Sequence, residues 1–149
     1  ESHNMVMYAY LDIDLMHADR AYKDDLAVLR RAVWPAQQMA RIGNWLSTWE
    51  RELREGDYSS GILVYALSNG VLTPADLEDI RDGDEAALEA AVTRIEDHGI
   101  EDLFLARWDD FHAELRSINR HELHSMDLSP FIEGLKVVMR YHLASRGLK

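Results

Sequence analysis

Apolar residues recur at helical spacing along almost the whole of this 149-residue chain, and no segment alternates as a half-buried strand would. The pattern is clearest between Pro35 and Arg54, where an apolar side chain returns every three or four positions (Met39, Ile42, Leu46, Trp49, Leu53). Two similar stripes precede it (Met5, Tyr8, Leu11, Leu15, Met16; then Leu26, Leu29, Val33, Trp34). This periodicity predicts an all-α helical bundle of about six to seven helices in a single unit, residues 1–149.

Helix-breaking residues divide the chain into these elements. Pro35 either begins a new helix or kinks an existing one, and "EGDYSSG" ends the helix that follows it. A short apolar helix over about residues 62–67 then stops at Asn69 and Gly70.

"TPAD" predicts the next helix start, with Thr73 as the N-cap, Pro74 in the first turn and Asp76 completing a capping box. A long helix over about residues 86–120 is predicted to break near Gly99. The last helix is predicted to begin at Ser129 and Pro130 and to end at Gly147. No internal repeat or linker separates these helices.

Charge and cysteine content exclude several classes of protein. The chain has 27 acidic and 16 basic residues, a net charge of −11, and its basic residues are dispersed, which argues against nucleic-acid binding. It has no cysteine, which excludes disulfides and thiolate zinc sites and favours a reducing compartment. No apolar run approaches the roughly 20 residues of a membrane span, and the first residues lack a basic targeting region. We therefore expect a cytoplasmic protein without a membrane span.

One polar face of the helix after Pro35 carries candidate metal ligands. Asn44, Thr48 and Glu52 follow at four-residue steps, so they drift by only about 40° per step around the helix. Such mixed oxygen donors suit Mg²⁺, which takes one or two carboxylates and is completed by waters and substrate phosphates. Arg51 lies on the same face and offers a guanidinium to the same phosphate. The pattern also fits a polar face in water, because the apolar stripe is centred more than about 100° away.

The residues around this face resemble a known family. "RIGNWLSTWERELREGDYSSGILVYAL", residues 41–67, resembles the second metal-binding motif of class I terpene synthases. In that motif a basic residue directly precedes the glutamate, as Arg51 does here, and a Gly-Asp turn, here Gly56 and Asp57, precedes a short apolar helix. "GVLTPADLEDI" resembles the family's next segment, and the similarity covers most of the chain. The detail of "RIGN" with "TWERE" looks most like bacterial diterpene cyclases of the ent-kaurene-synthase kind.

The resemblance implies an all-α bundle around an apolar pocket, in which three Mg²⁺ ions hold a prenyl diphosphate, C20 in preference to C15. Loss of pyrophosphate leaves an allylic carbocation that the pocket folds into a cyclic terpene. Carried onto this chain, the resemblance makes Asn44, Thr48 and Glu52 the ligands of one Mg²⁺, and Arg51 a contact of the diphosphate. Trp45 and Trp49 are candidates for the pocket wall, although aromatic residues on an apolar stripe are more often core.

The sequence departs from the family in one important respect. The family's aspartate-rich metal motif should precede this motif by well over a hundred residues, whereas only 43 residues precede Asn44. We therefore expect the chain to be the C-terminal part of a terpene synthase, with the missing N-terminal half as its partner, and we expect the isolated chain to be inactive. A homodimer is also compatible with the sequence. Two acidic stretches imitate the missing motif in the wrong places and are interpreted as solvated faces (Asp12, Asp14, Asp19; Asp109, Asp110, Glu114).

Further candidates lie near the end of the chain. Arg140 and Tyr141 stand at about the distance from Glu52 at which the family places an Arg-Tyr pair against the diphosphate. Their surroundings, "FIEGLKVVMRYHL", look more like the helix just before that pair, so the assignment of both residues stays open.

The histidines in "HELH" are a different candidate. His121 and His124 are three residues apart, whereas a zinc protease needs a spacing of four, so we interpret them, with His112 nearby, as surface residues. The rival to the cyclase interpretation is a non-catalytic acidic α-helical interaction module, in which the face carrying Asn44 simply meets water.

Overall fold

The structure, a computed structural model, describes residues 6–17 and 20–145. Within these ranges it contains seven α-helices, one 3₁₀ segment and no strand, which confirms the predicted all-α fold. The elements are α1 (Val6–His17), the 3₁₀ segment (Arg20–Asp25), α2 (Leu26–Glu55), α3 (Gly61–Ser68), α4 (Pro74–Arg81), α5 (Glu85–Asp97), α6 (Ile100–His121) and α7 (Ser129–Ala144). Among the helices so described, none is long and apolar enough to cross a membrane.

The long helix α2 is the centre of the bundle and contacts all six other α-helices. Its stripe residues Ile42, Leu46 and Leu53 are buried against side chains of α3, α5 and α6. Pro35 lies inside α2 and is itself buried, so the alternative in which Pro35 begins a new helix is wrong. A proline at this position removes one hydrogen bond from the helix. The helix nevertheless continues through Pro35 to Glu55, so a single element carries the predicted ligands.

The apolar stripes of the first two predicted segments are only partly buried. Leu15 of α1 packs with Leu29 of α2 and Leu123 in a small second cluster. Met16 is 80 % exposed and Trp34 is 50 % exposed, so these two members of the predicted apolar stripes meet solvent. The side chains of Met5 and Tyr8, and the predicted stop at Gly147, lie outside the described residues.

Most of the observed helix boundaries lie at the turn residues that predicted them. Gly56 adopts a left-handed conformation, with φ of +76°, and ends α2. Gly99, with φ of +60°, separates α5 from α6, which confirms the interruption predicted there. Thr73 and Asp76 form the predicted capping box at the start of α4, each side chain accepting the backbone N–H of the other residue. These signals are local, because each is decided by residues within a few positions.

We expect Thr73→Ala to destabilise the fold by about 1 kcal/mol, because an N-cap side chain that is lost leaves an orphan backbone donor. The measurement is the midpoint of urea unfolding followed by circular dichroism. Thr93→Ala, an exposed change within α5, is the matched control and should alter stability by less than about 0.5 kcal/mol. Equal effects of the two substitutions would contradict the capping role.

Gly61 at the start of α3 is required by close packing. A Cβ atom added there would lie 2.5 Å from Cζ3 of the half-buried Trp45. Because this ring also packs edge-on against Phe104, we expect Gly61→Ala to cost about 1–3 kcal/mol. In contrast, a Cβ atom at Gly134 in α7 would meet nothing within 4 Å, so Gly134→Ala should be stabilising by about 0.5–1 kcal/mol. Thermal unfolding of the two variants checks the opposite signs.

Candidate functional site

The face of α2 that carries Asn44, Thr48 and Glu52, the α2 polar face, is partly in water and partly enclosed. Asn44 is exposed, Glu52 is half-buried and Thr48 is only 6 % exposed. Gln37, seven residues before Asn44 and so within about 20° of it around the helix, is buried as well. A face that simply met solvent would leave these polar side chains accessible. The neighbouring elements therefore cover part of the α2 polar face.

Hydrogen bonds hold the backbone beneath this face. The carbonyl oxygen of Asn44 accepts the hydroxyl of Thr48 at 2.8 Å and the hydroxyl of Ser47 at 2.9 Å. Ser47 Oγ also lies 3.1 Å from Nδ1 of His142 on α7. Because the single hydroxyl proton of Ser47 is used at Asn44, Nδ1 of His142 supplies the hydrogen of this second bond. These contacts join α7 to the first residue of the α2 polar face.

Glu52 is the carboxylate among the three proposed ligands. Its Oε2 atom is buried and accepts no hydrogen bond from the residues that the structure describes. A buried acceptor without a partner costs about 1–3 kcal/mol, and more when the group is charged. The hydroxyl proton of Thr48 points to the backbone, so its oxygen also keeps lone pairs for another partner. The arrangement can therefore accept a cation or a strong hydrogen-bond donor.

The α2 polar face could hold a metal only with mixed ligands. In residues 6–17 and 20–145 no three histidine, aspartate or glutamate side chains converge in a way that would hold a metal ion. A cation at this face would depend on one carboxylate, from Glu52, together with the amide oxygen of Asn44 and the hydroxyl of Thr48. Such a set suits a hard cation such as Mg²⁺, which keeps waters and takes phosphate oxygens as well.

Arg51 lies beside the α2 polar face and remains accessible. Its side chain is exposed, and Nε lies 3.6 Å from Oε2 of Glu55, one turn further along α2. Exposed ion pairs of this kind contribute only about 0–1 kcal/mol, so Arg51 can exchange Glu55 for a phosphate at little cost.

The two tryptophans proposed for a pocket wall have different environments. Trp49 is 1 % exposed, and its Nε1 donates to Oε1 of Glu101 at 2.6 Å, so it belongs to the core. Trp45 is half-buried and lines a groove of about 560 Å³ with Tyr65 and Phe104. Of the two candidates, only Trp45 borders an open, aromatic surface.

On α7, the residue that reaches the α2 polar face is His142, not the predicted pair. Its ring lies close to Gly43, and it is bonded to Ser47. Successive helical residues are about 100° apart, so Arg140 lies about 160° from His142 and faces away from α2. Tyr141 is 64 % exposed. The assignment of Arg140 to the diphosphate site does not fit this geometry, and no local pattern in the sequence marks His142.

The acidic stretches that imitate the family's other metal motif are exposed. Asp12 is paired with Arg30, with both carboxylate oxygens 3.0 Å from Nη2. The other described members meet solvent (Asp14, Asp109, Asp110, Glu114), and Asp19 lies outside the described residues. Their interpretation as solvated faces is confirmed for the described members.

The histidines near the end of α6 do not converge. His121 and His124 are exposed, as the sequence predicted. His112 stacks on Trp108 with ring centroids 5.3 Å apart. Burial, together with the nearby charges of Lys136 and Arg116, lowers the pKa of His112 below its ordinary value.

α7, which packs against α2, carries an exposed apolar stripe. The stripe consists of Phe131, Val137, Val138 and Tyr141, all exposed. Phe131 borders a groove with Val33 of α2, and Val33 is eleven residues before Asn44, within about 20° of it around the helix. The Phe131 end of the apolar stripe therefore lies on the same side of α2 as Asn44, about 16 Å from it along the helix axis.

Comparison with family models, with curated proteins and with solved structures finds no match to this chain.

Proposed function

We propose that this chain is the C-terminal part of a class I terpene cyclase, in which the α2 polar face supplies one of the Mg²⁺ sites that hold a prenyl diphosphate. The observation that carries the proposal is the buried Oε2 atom of Glu52, which has no partner within the described residues and lies on the same face as Asn44 and Thr48. The resemblance of residues 41–67 to the family's second metal motif indicates that the missing partner of this oxygen is Mg²⁺.

The residues of the face fit this role. Asn44, Thr48 and Glu52 each present an oxygen with unengaged lone pairs, and Arg51 presents a guanidinium to the diphosphate. When bound, Mg²⁺ would neutralise charge on the departing pyrophosphate. Ser47 and His142 hold the backbone of Asn44 and so position the first ligand. Fixing the ligands in advance matters because catalysis by charge stabilisation depends on groups that need no rearrangement.

The exposed apolar stripe on α7 supports the proposal that a second half completes the fold. Phe131, Val138 and Tyr141 expose apolar surface on α7, the helix that packs against α2. Exposed patches of this kind mark a surface that another protein segment or an apolar ligand covers. We propose that the N-terminal half covers this side and encloses an apolar pocket that shields the carbocation from water. A C20 substrate is favoured over a C15 substrate.

The experiment that tests this function uses the proposed complete enzyme, with both halves present. It is incubated with Mg²⁺ and geranyl, farnesyl or geranylgeranyl diphosphate, and the hydrocarbon products are identified by mass spectrometry. We expect a cyclic terpene from geranylgeranyl diphosphate and no product from the 149-residue chain alone. Absence of any terpene from all three substrates would overturn the proposal.

The rival function is a non-catalytic acidic interaction module. The exposure of the α7 stripe favours it as much as it favours a missing half, because either partner would cover that surface. The module predicts unchanged binding of a protein partner after Glu52→Gln, whereas the cyclase predicts loss of catalysis. Oε2 of Glu52, which has no partner among the residues that the structure describes, decides our preference, because a module needs no buried carboxylate oxygen on α2.

A further inference from the structure

An open cleft with a volume of about 900 Å³ lies between the second half of α6 and the first half of α7. Its floor is apolar, formed by Leu123 and Ile132, both buried. Its walls carry Arg116 and Arg120 from α6 and Lys136 from α7. The volume falls within the roughly 300–1,000 Å³ of small-molecule sites. This α6–α7 cleft is separate from the α2 polar face, because none of the residues that form that face lines it.

The two carboxylates of the cleft are already engaged. Asp127 accepts hydrogen bonds from the hydroxyl of Ser129 at 2.6 Å and from Nδ2 of Asn119 at 2.8 Å, and these bonds lower the pKa of Asp127 to about 2. Glu133 is paired with Lys136 at 3.0 Å. Both acidic side chains of the cleft therefore have partners of their own, and neither of them pairs with the arginines of α6.

Arg116 and Arg120 form the unpaired part of the cleft. Within residues 6–17 and 20–145 neither guanidinium forms an ion pair or a hydrogen bond. The chain as a whole has a net charge of −11. Their four-residue spacing puts their Cβ atoms about 5–6 Å apart, and like charges at this spacing are destabilising. Both side chains can reach one anion between them. A single phosphate group offers enough oxygens for two bidentate guanidinium contacts.

We propose that the α6–α7 cleft binds a small organic phosphate monoester. Arg116 and Arg120 hold the phosphate group, and Leu123 and Ile132 contact the apolar organic part. This site is independent of the cyclase proposal, because it uses neither the α2 polar face nor a metal ion.

The test is a titration of the ¹⁵N-labelled chain with phenyl phosphate at low salt, followed by amide chemical shifts. We expect saturable shifts confined to about residues 113–136, and dissociation constants at least about tenfold weaker for the Arg116→Gln/Arg120→Gln variant. Arg81→Gln, an exposed change on α4, is the matched control and should leave binding unchanged. The spectra of the free variants show directly whether each one is folded.

Inorganic phosphate and phenol separate the two parts of the proposed ligand. We expect inorganic phosphate to bind the same residues more weakly than phenyl phosphate, and phenol to leave them unshifted. Equal affinity for both phosphates would overturn the role of the apolar floor. Unchanged binding by the double arginine variant, or shifts that do not saturate, would overturn the site itself.

Discussion

Replacing Glu52 by glutamine in the proposed complete enzyme should lower turnover by at least about a hundredfold. Loss of a group that only supports a metal ligand already costs about 10–100-fold, and Glu52 is itself proposed as the charged ligand of the α2 polar face. Glutamine keeps the size of the side chain but removes the charge, so the fold should be retained. The measurement is the rate of pyrophosphate release from geranylgeranyl diphosphate at saturating Mg²⁺, with circular dichroism as the test of folding.

The matched control for this prediction is Glu114→Gln. Glu114 belongs to one of the acidic stretches that imitate a metal motif, and it is exposed on α6. The same change of charge at this position should leave turnover within about twofold of the original enzyme. If Glu52→Gln kept full activity, or if Glu114→Gln lost as much activity as Glu52→Gln, the assignment of the ligand face to α2 would be wrong.

Trp49→Ala should be the most destabilising single substitution that we predict, at about 3–5 kcal/mol. Trp49 is fully buried at the contact of α2 with α6, and its removal leaves both a cavity and a carboxylate, Glu101, that has lost a donor at 2.6 Å. For a chain of this length each kcal/mol shifts the melting temperature by roughly 2–4 °C. We therefore expect the midpoint of thermal unfolding to fall by roughly 10 °C.

Two further variants separate the causes of this loss. Trp49→Phe keeps most of the ring but removes the donor to Glu101, and it should cost about 1–3 kcal/mol. Trp34→Ala, on the same helix, removes a half-exposed ring and should cost clearly less than Trp49→Ala. A Trp49→Ala variant as stable as Trp34→Ala would show that Trp49 is not the core residue that the structure describes.

Features decided by neighbouring residues were predictable from the sequence. The capping box of Thr73 and Asp76 and the break at Gly99 each depend on a few adjacent positions, and the sequence pattern predicts both. Whether α2 continues through Pro35 was left open by the sequence, because the choice between a new helix and a kinked one depends on packing against distant parts of the chain. Local sequence signals alone favour a boundary or a kink there.

At the candidate site, too, local features could be predicted from the sequence and features that depend on distant contacts could not. The spacing of Asn44, Thr48 and Glu52 predicts that they share a face, and the structure confirms that α2 runs unbroken through all three. Which of them would be buried could not be read from spacing, since burial depends on the helices that cover α2. The contact of His142 with Ser47 joins residues 95 positions apart, and neither residue type identifies the other.

The most direct test of the account is whether the α2 polar face binds a divalent cation together with a diphosphate. Mn²⁺, a paramagnetic substitute for Mg²⁺, is added with pyrophosphate to the ¹⁵N-labelled chain, and the broadening of each amide signal is measured. We predict broadening centred on about residues 44–52, lost in Glu52→Gln and retained in Glu114→Gln. Broadening confined to other acidic surfaces, or identical broadening in both variants, would contradict the proposed metal site.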